Sequence, residues 1–320
     1  MFIIAASTIS YQPTFQNKGF SSTLTELDSS ALLREPDYSG FIPAMDRRRM
    51  SEVQKMAITC SLDCLAQVKL SQPDGIIVGT SMGCCANTKN FLDKIISSGS
   101  GPLAPTFFIV STHNTIAGQI SLIMKNHGYN CTHTQNSLSF EQSLLDGVLC
   151  IREGGNNILL GGADETEEAI YSTNERLNRE DVLLTSGSSF FILSKEETDS
   201  CVRLVDVVSL GLVVNPAQRI ENFLQSNARP ADEIDLVLYA NSTPEIYDEL
   251  IRLFGLEKLI DYQKLSGTYF TSSAFAMHFG VDILLTGAPP HFREGIKNIL
   301  ICNNLIPENL GLVLLRKQPS

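Results

Sequence analysis

The run Gly75-Ile76-Ile77-Val78-Gly79 constrains the fold more than any other stretch of this chain. It is continuously apolar and bounded by glycine, the pattern of a strand covered on both faces. Such a strand needs helices above and below it, and the chain supplies them by alternation. Strands are expected at residues 3–10, 75–79, 129–134, 157–160 (stopping at Gly161-Gly162) and 190–193. Helices are expected between them at 48–68, 88–97, 115–125 and 139–153. On the first helix Met50, Val53, Met56, Ala57, Cys60 and Cys64 share one stripe. A similar succession follows. It runs through a strand at 202–210, a helix at 216–224, a strand at 234–240, helices at 244–254 and 271–285, and strands at 298–302 and 311–315. Alternation of this kind predicts an α/β layered fold with a mostly parallel sheet. Its recurrence predicts a duplicated architecture, an N-terminal half at 1–195 and a C-terminal half at 196–320 in a single compact unit. The polar segment 194–200 is the join.

Charge narrows the partners. The 320 residues carry 24 Lys+Arg against 35 Asp+Glu, a formal net charge of -11, which argues against nucleic acid or an anionic membrane as the main partner. Arg47-Arg48-Arg49 is a local basic exception. No run approaches the roughly 20 apolar residues that span a bilayer. The apolar N-terminus lacks the early Lys or Arg of a signal peptide and reads as a first buried strand. The 8 Cys are scattered through apolar or helical stretches, as expected of reduced thiols in a cytoplasmic protein.

Few chemical motifs stand out. No glycine-rich phosphate loop follows the first strand, and the 5 His show no metal-ligand spacing with one another. Neither a cofactor nor a metal centre is therefore expected. Cys60 and Cys64 share the apolar stripe of their helix and read as core thiols. Cys84 follows the 75–79 strand, at the end where α/β folds place ligands. It is either a structural thiol or a nucleophile in need of a base. His133 and His113 are each either a site residue or a hydrogen-bonded structural histidine.

Residues 75–165 carry the most information. They contain the GIIVGT strand and turn, the loop with Asn114, the strand–turn–helix at 129–153, and Gly161-Gly162-Ala163-Asp164-Glu165. Together with 46–50 and Ser186-Gly187-Ser188-Ser189, they make the sequence resemble the β-ketoacyl synthase family of the thiolase fold. The likeness is greatest to the short branch of ketosynthase-like and chain-length-factor-like subunits in aryl polyene and flexirubin pathways. The resemblance implies two similar βαβαβαββ halves in a layered α-β-α-β-α architecture. It also implies dimerisation with an active ketosynthase or with a second copy, and an acyl carrier protein as a further partner.

The family's chemistry needs a Cys at a helix N-terminus and two His that stabilise the enolate and oxyanion. By resemblance the Cys position is Asn136, in the segment 134–139 with Gln135 beside it. The first His position is Tyr239, followed by the Ser242-Thr243-Pro244 turn. The Lys and second His positions are Lys264 and Thr268, and the acidic position of the closing motif is Ser186. The glycine-rich gate is replaced by 303–309. An amide forms no thioester, and Cys131 lies upstream and out of register. The expectation is a partner subunit without the Cys-His-His set. Open alternatives are an acyltransferase or malonyl decarboxylase using Cys84 or His133, and a homodimeric scaffold that holds a carrier protein through Arg47–Arg49.

Overall fold

The computed structural model describes residues 1–98, 105–167, 183–241, 243–287 and 295–318. One ten-stranded sheet runs through the molecule, in the order β3-β2-β4-β5-β1-β6-β10-β9-β7-β8. In the first half β1 is Phe2–Ile9, β2 Gly75–Gly79, β3 Tyr129–His133, β4 Asn157–Asp164 and β5 Gly187–Ser194. In the second, β6 is Val202–Leu210, β7 Leu236–Asn241, β8 Leu259–Asp261, β9 Asn298–Asn304 and β10 Leu310–Lys317. Each half has the same strand order, with its second strand parallel to its third and fourth and its fifth antiparallel to its fourth and first. The halves meet where β1 pairs with β6 through Phe2 and Ile3.

The expected mostly parallel sheet is therefore corrected to a mixed one. A strand that returns directly from its neighbour, as β10 does from β9 through residues 305–309, has no crossover helix and runs antiparallel.

Helices α1 (Glu52–Val68), α2 (Cys85–Ser98), α3 (Thr115–Met124) and α4 (Ser139–Arg152) belong to the first half. Helices α5 (Pro216–Ser226), α6 (Pro244–Phe254) and α7 (Ser273–Thr286) belong to the second. The second half thus reads β-α-β-α-β-α-β-β, as expected, and the first follows the same order with two helices, α2 and α3, between β2 and β3. Three buried clusters define the layers. Phe140 and Leu144 of α4 and Phe275 and Phe279 of α7 lie in the central cluster, between the two halves of the sheet. Helices α1 and α3 cover the outer face of the first half, and α5 and α6 that of the second. This is the α-β-α-β-α layering.

Helix α1 starts at Glu52, not at residue 48, because Ser51 and Gln54 form a reciprocal capping box. The chain before it makes a separate short helix at Ala44–Arg47, leaving Arg48 and Arg49 exposed. Among the described residues no helix is long and apolar enough to cross a membrane. All eight cysteines are free thiols. Cys60 and Cys64 are buried and donate to the Ser188 and Phe190 carbonyl oxygens of β5, consistent with core packing.

Candidate functional site

The sharpest turn in the first half follows β3. The chain leaves His133, passes Gln135 and enters α4 through a turn of 3-10 helix at Asn136–Leu138. Asn136 has φ 50, in the left-handed region that Asn tolerates better than most side chains. Ser139 fixes the bend, accepting from the Gln135 N–H at 2.8 Å and donating to the Asn136 carbonyl at 2.7 Å. The helix presses on β2, since a Cβ on Gly79 would lie 2.3 Å from the Ser139 carbonyl oxygen. Gln135 and Asn136 are exposed, whereas Ser137 onward is buried.

The second half grips this elbow. Asn303 of β9 donates one Nδ2 to the Ser137 carbonyl at 2.7 Å and to Glu141 Oε1 at 2.9 Å. Asn309 donates to Ser137 Oγ at 3.0 Å. The segment 303–309 thus braces the start of α4. Glu141 is fully buried, and its Oε2 has no hydrogen-bond partner. Burial pushes its carboxyl up from 4.5 to about 7, against the pull of the Asn303 hydrogen bond. Gly311 makes the room, since a Cβ there would meet Glu141 at 2.7 Å.

A pH dependence follows. A carboxyl whose pKa is raised by folding stabilises the fold while protonated and loses that contribution as pH climbs through its folded value. Between pH 4.5 and 7 the parent should lose roughly 3 kcal/mol relative to Glu141→Gln. Urea unfolding of both proteins across that range checks it, and parallel curves would refute it.

Asp164 and Glu165 tie the first half together. Asp164 Oδ1 accepts from Thr80 Oγ1 and from the Ser81 and Met82 N–H groups at 2.8–2.9 Å. Its Oδ2 accepts from the Thr271 N–H at 3.1 Å. Glu165 accepts from Val53 N–H with one oxygen and Ala86 N–H with the other, at the N-terminal ends of α1 and α2. Burial raises its carboxyl to about 7. Strand β4 runs through Gly161-Gly162 to Asp164, correcting the expected stop. The glycines permit close approach instead: a Cβ on Gly161 would meet the Ser189 carbonyl oxygen at 2.4 Å.

The remaining candidates scatter. Cys84 is fully buried, and desolvation followed by the nearby Glu165 charge pushes its thiol up to about 12. That holds it as a thiol, a poor nucleophile. Tyr239 is not brought to the elbow. Its neighbours in β7, Leu238 and Ala240, face the central layer, whereas Tyr239 packs outward with Phe223 and Tyr247. The expectation that it occupies a site position is thus not met by its side chain, because a strand sends successive residues to opposite faces. Ser242 lies outside the described residues. Lys264 is exposed and pairs with Glu26 at 3.3 Å. Thr268 sits beside residues 183–185, donating its N–H to the Leu183 carbonyl. Ser186 Oγ accepts from the Thr166 N–H. His113 is exposed and lies over Gly83, where a Cβ would come within 2.9 Å of its ring.

One group was not foreseen as a unit. His133, ending β3, has its Nε2 2.8 Å from Asp146 Oδ2 of α4 and 3.7 Å from Cys131 Sγ. The spacing of two between Cys131 and His133 could have shown that they share a strand face. Nothing in the sequence aimed Asp146 at them.

A sequence model described as "Beta-ketoacyl synthase, N-terminal domain" matches residues 28–200. No curated protein matches the chain. Among solved structures, the ishigamide ketosynthase/chain length factor superposes with a TM-score of 0.80 at 16% identity, covering 99% of each chain. The ketosynthase ApeO in complex with its chain length factor ApeC, from Xenorhabdus doucetiae, gives 0.76 at 12% identity, over 99% of this chain and 98% of that one. AntDE:AntF, a type II acyl carrier protein in complex with its ketosynthase, gives 0.79 at 13% identity, over 99% of each chain. At such identities the likeness is one of fold.

Proposed function

The chain belongs to the β-ketoacyl synthase family, and on that premise we propose that it is a non-catalytic, chain-length-factor-type subunit. Its partner is an active β-ketoacyl-acyl carrier protein synthase of fatty acid, polyene or polyketide biosynthesis. The observation that carries this reading is Asn136 at φ 50 on the strand-to-helix elbow. On this reading the bend is the one that would present a nucleophile, and its side chain is an amide. Covalent catalysis requires a group that can be acylated and a base to activate it. The other thiol considered, Cys84, is buried and protonated.

A protein without its own chemistry is retained for its surface, and β3 supports that role. It is an edge strand, paired only with β2 among the described residues. Its five residues carry no Lys or Pro to deter a further strand. The acidic net charge makes the partner the better docking face for an acidic carrier protein.

Co-expression with a ketosynthase encoded beside it should give a stable one-to-one complex. Incubation with malonyl-loaded carrier protein should leave the intact mass of this chain unchanged. An acyl adduct on this chain, lost in Cys84→Ala, would establish the acyltransferase reading instead. A stable homodimer that ignores the ketosynthase would establish the scaffold reading.

A further inference from the structure

The edge strand β3 and helix α4 bring Cys131, His133 and Asp146 together, with one potential ligand atom from each and all three within 4.8 Å of one another. The geometry points to a zinc site made by these three side chains. Neither the family match nor the expectation from histidine spacing assigns a metal here.

The cluster has the wrong shape for a nucleophile with its base. In such a relay the imidazole uses one nitrogen for the nucleophile and the other for the carboxylate. Here a single nitrogen, His133 Nε2, faces both Cys131 Sγ at 3.7 Å and Asp146 Oδ2 at 2.8 Å. Three donors converging on a common point is what coordination requires. With zinc about 2.3 Å from sulfur and about 2.0–2.1 Å from nitrogen and oxygen, tetrahedral angles put S and N about 3.5 Å apart and N and O about 3.3 Å apart. The thiol–imidazole pair is already near its value. The imidazole–carboxylate pair would open by about half an ångström, exchanging a hydrogen bond for two metal bonds.

The ligand set suits zinc among divalent ions. Sulfur, imidazole and carboxylate together match its borderline softness, whereas magnesium and calcium take oxygen. The carboxylate is already oriented by its neighbours. Tyr129 donates its hydroxyl to Asp146 Oδ2 at 3.0 Å, and Cys150, one turn along α4, donates to Asp146 Oδ1 at 3.8 Å. His133 and Asp146 keep side-chain exposures of 25% and 17%, so an ion can enter and one coordination position stays open to water. The metal would clamp the end of β3 to α4, three residues before Asn136. That makes it a structural site for the elbow and the edge strand, not a catalytic one.

Cobalt(II) is the probe. The purified full chain, stripped with chelator, should bind one equivalent, with the intense visible bands of tetrahedral cobalt and a near-ultraviolet thiolate-to-cobalt band, both bleached by zinc. Cys131→Ala should lose the thiolate band, and His133→Asn and Asp146→Asn should each weaken zinc binding at least tenfold. Cys85→Ser, a thiol outside the cluster, should bind as the parent does. Circular dichroism of the variants separates lost ligation from lost folding. Zinc should also raise the melting temperature of the parent and not that of His133→Asn. Absence of a cobalt spectrum, or cobalt bound equally by Cys131→Ala and His133→Asn, would overturn the site.

Discussion

Asp164→Ala should cost about 4 kcal/mol or more of folding stability, most of the margin of a protein at the low end of the natural range. The carboxylate is fully buried and accepts four hydrogen bonds, from Thr80, Ser81, Met82 and Thr271. Removing it strands three backbone N–H groups and a hydroxyl at about 1–3 kcal/mol for each that water cannot reach. It also uncouples the turn after β2 from the segment before α7, so the two halves lose a shared anchor. Burial raises the Asp164 carboxyl above its ordinary value, while the hydrogen bonds hold it down. Without those bonds the buried carboxyl would have no partner for its polar oxygens. Asp164→Asn retains an oxygen for the Thr80–Met82 turn but sets an NH2 against the Thr271 N–H, and should cost about half as much. Urea unfolding of both variants decides, and an alanine variant within 1 kcal/mol of the parent would contradict the hub. With natural stabilities of about 5–15 kcal/mol, the predicted loss is hard to miss.

What the sequence could show depended on how local the signal was. Strand β2 was legible to the residue, because an all-apolar run between glycines has one reading. The duplication was legible from element order alone, since each succession repeats without repeating residues. Strand β8 was not foreseen. It has three residues, and its pairing with β7 supplies a register that no pattern of its own encodes. Gly161-Gly162 read as a stop because glycine punctuates strands, but here it admits Ser189 and Phe190 on one side and Thr271 on the other. The site divided in the same way. Asn136 could be placed by resemblance, but its left-handed backbone could not be read from its identity. The resemblance sets Tyr239 at a site position but says nothing of strand parity, and one residue of parity separates the outer layer, where its side chain packs, from the central one. The bracing of the elbow by Asn303 and Asn309 joins residues more than 160 positions apart. No local pattern reports a contact of that span.

Placing a glutamate at both Ile96 and Phe108 should weaken pairing with the ketosynthase at least a hundredfold, about 2.7 kcal/mol, while leaving the fold intact. The argument starts from exposure. Helix α2 has no buried residue, and Ile96 is 81% exposed. Phe108 and Ile109, in the short helix Pro105–Ile109, are each 60% exposed, and Leu122 of α3 is 70% exposed. The helices that carry them are joined. Phe91 of α2 meets the Phe108 ring at 6.0 Å, and Thr115 at the start of α3 donates its hydroxyl to the Ile109 carbonyl. Helix α3 in turn packs beside the open edge of β3, where Asn130 donates to the Ala117 carbonyl. Large exposed apolar side chains on helices next to an open strand edge mark an interaction surface more often than a solvated one. A subunit that joins β3 edge to edge would desolvate them together. Two buried carboxylates without partners would then oppose the complex, whereas in the free chain both would sit in water at little cost. Analytical ultracentrifugation of the co-expressed pair reads the outcome, with the melting temperature of the isolated chain as the control for folding. Retention of the one-to-one complex by the double variant would move the partner surface away from β3. It would also remove the main structural support for a subunit whose purpose is to complete another enzyme.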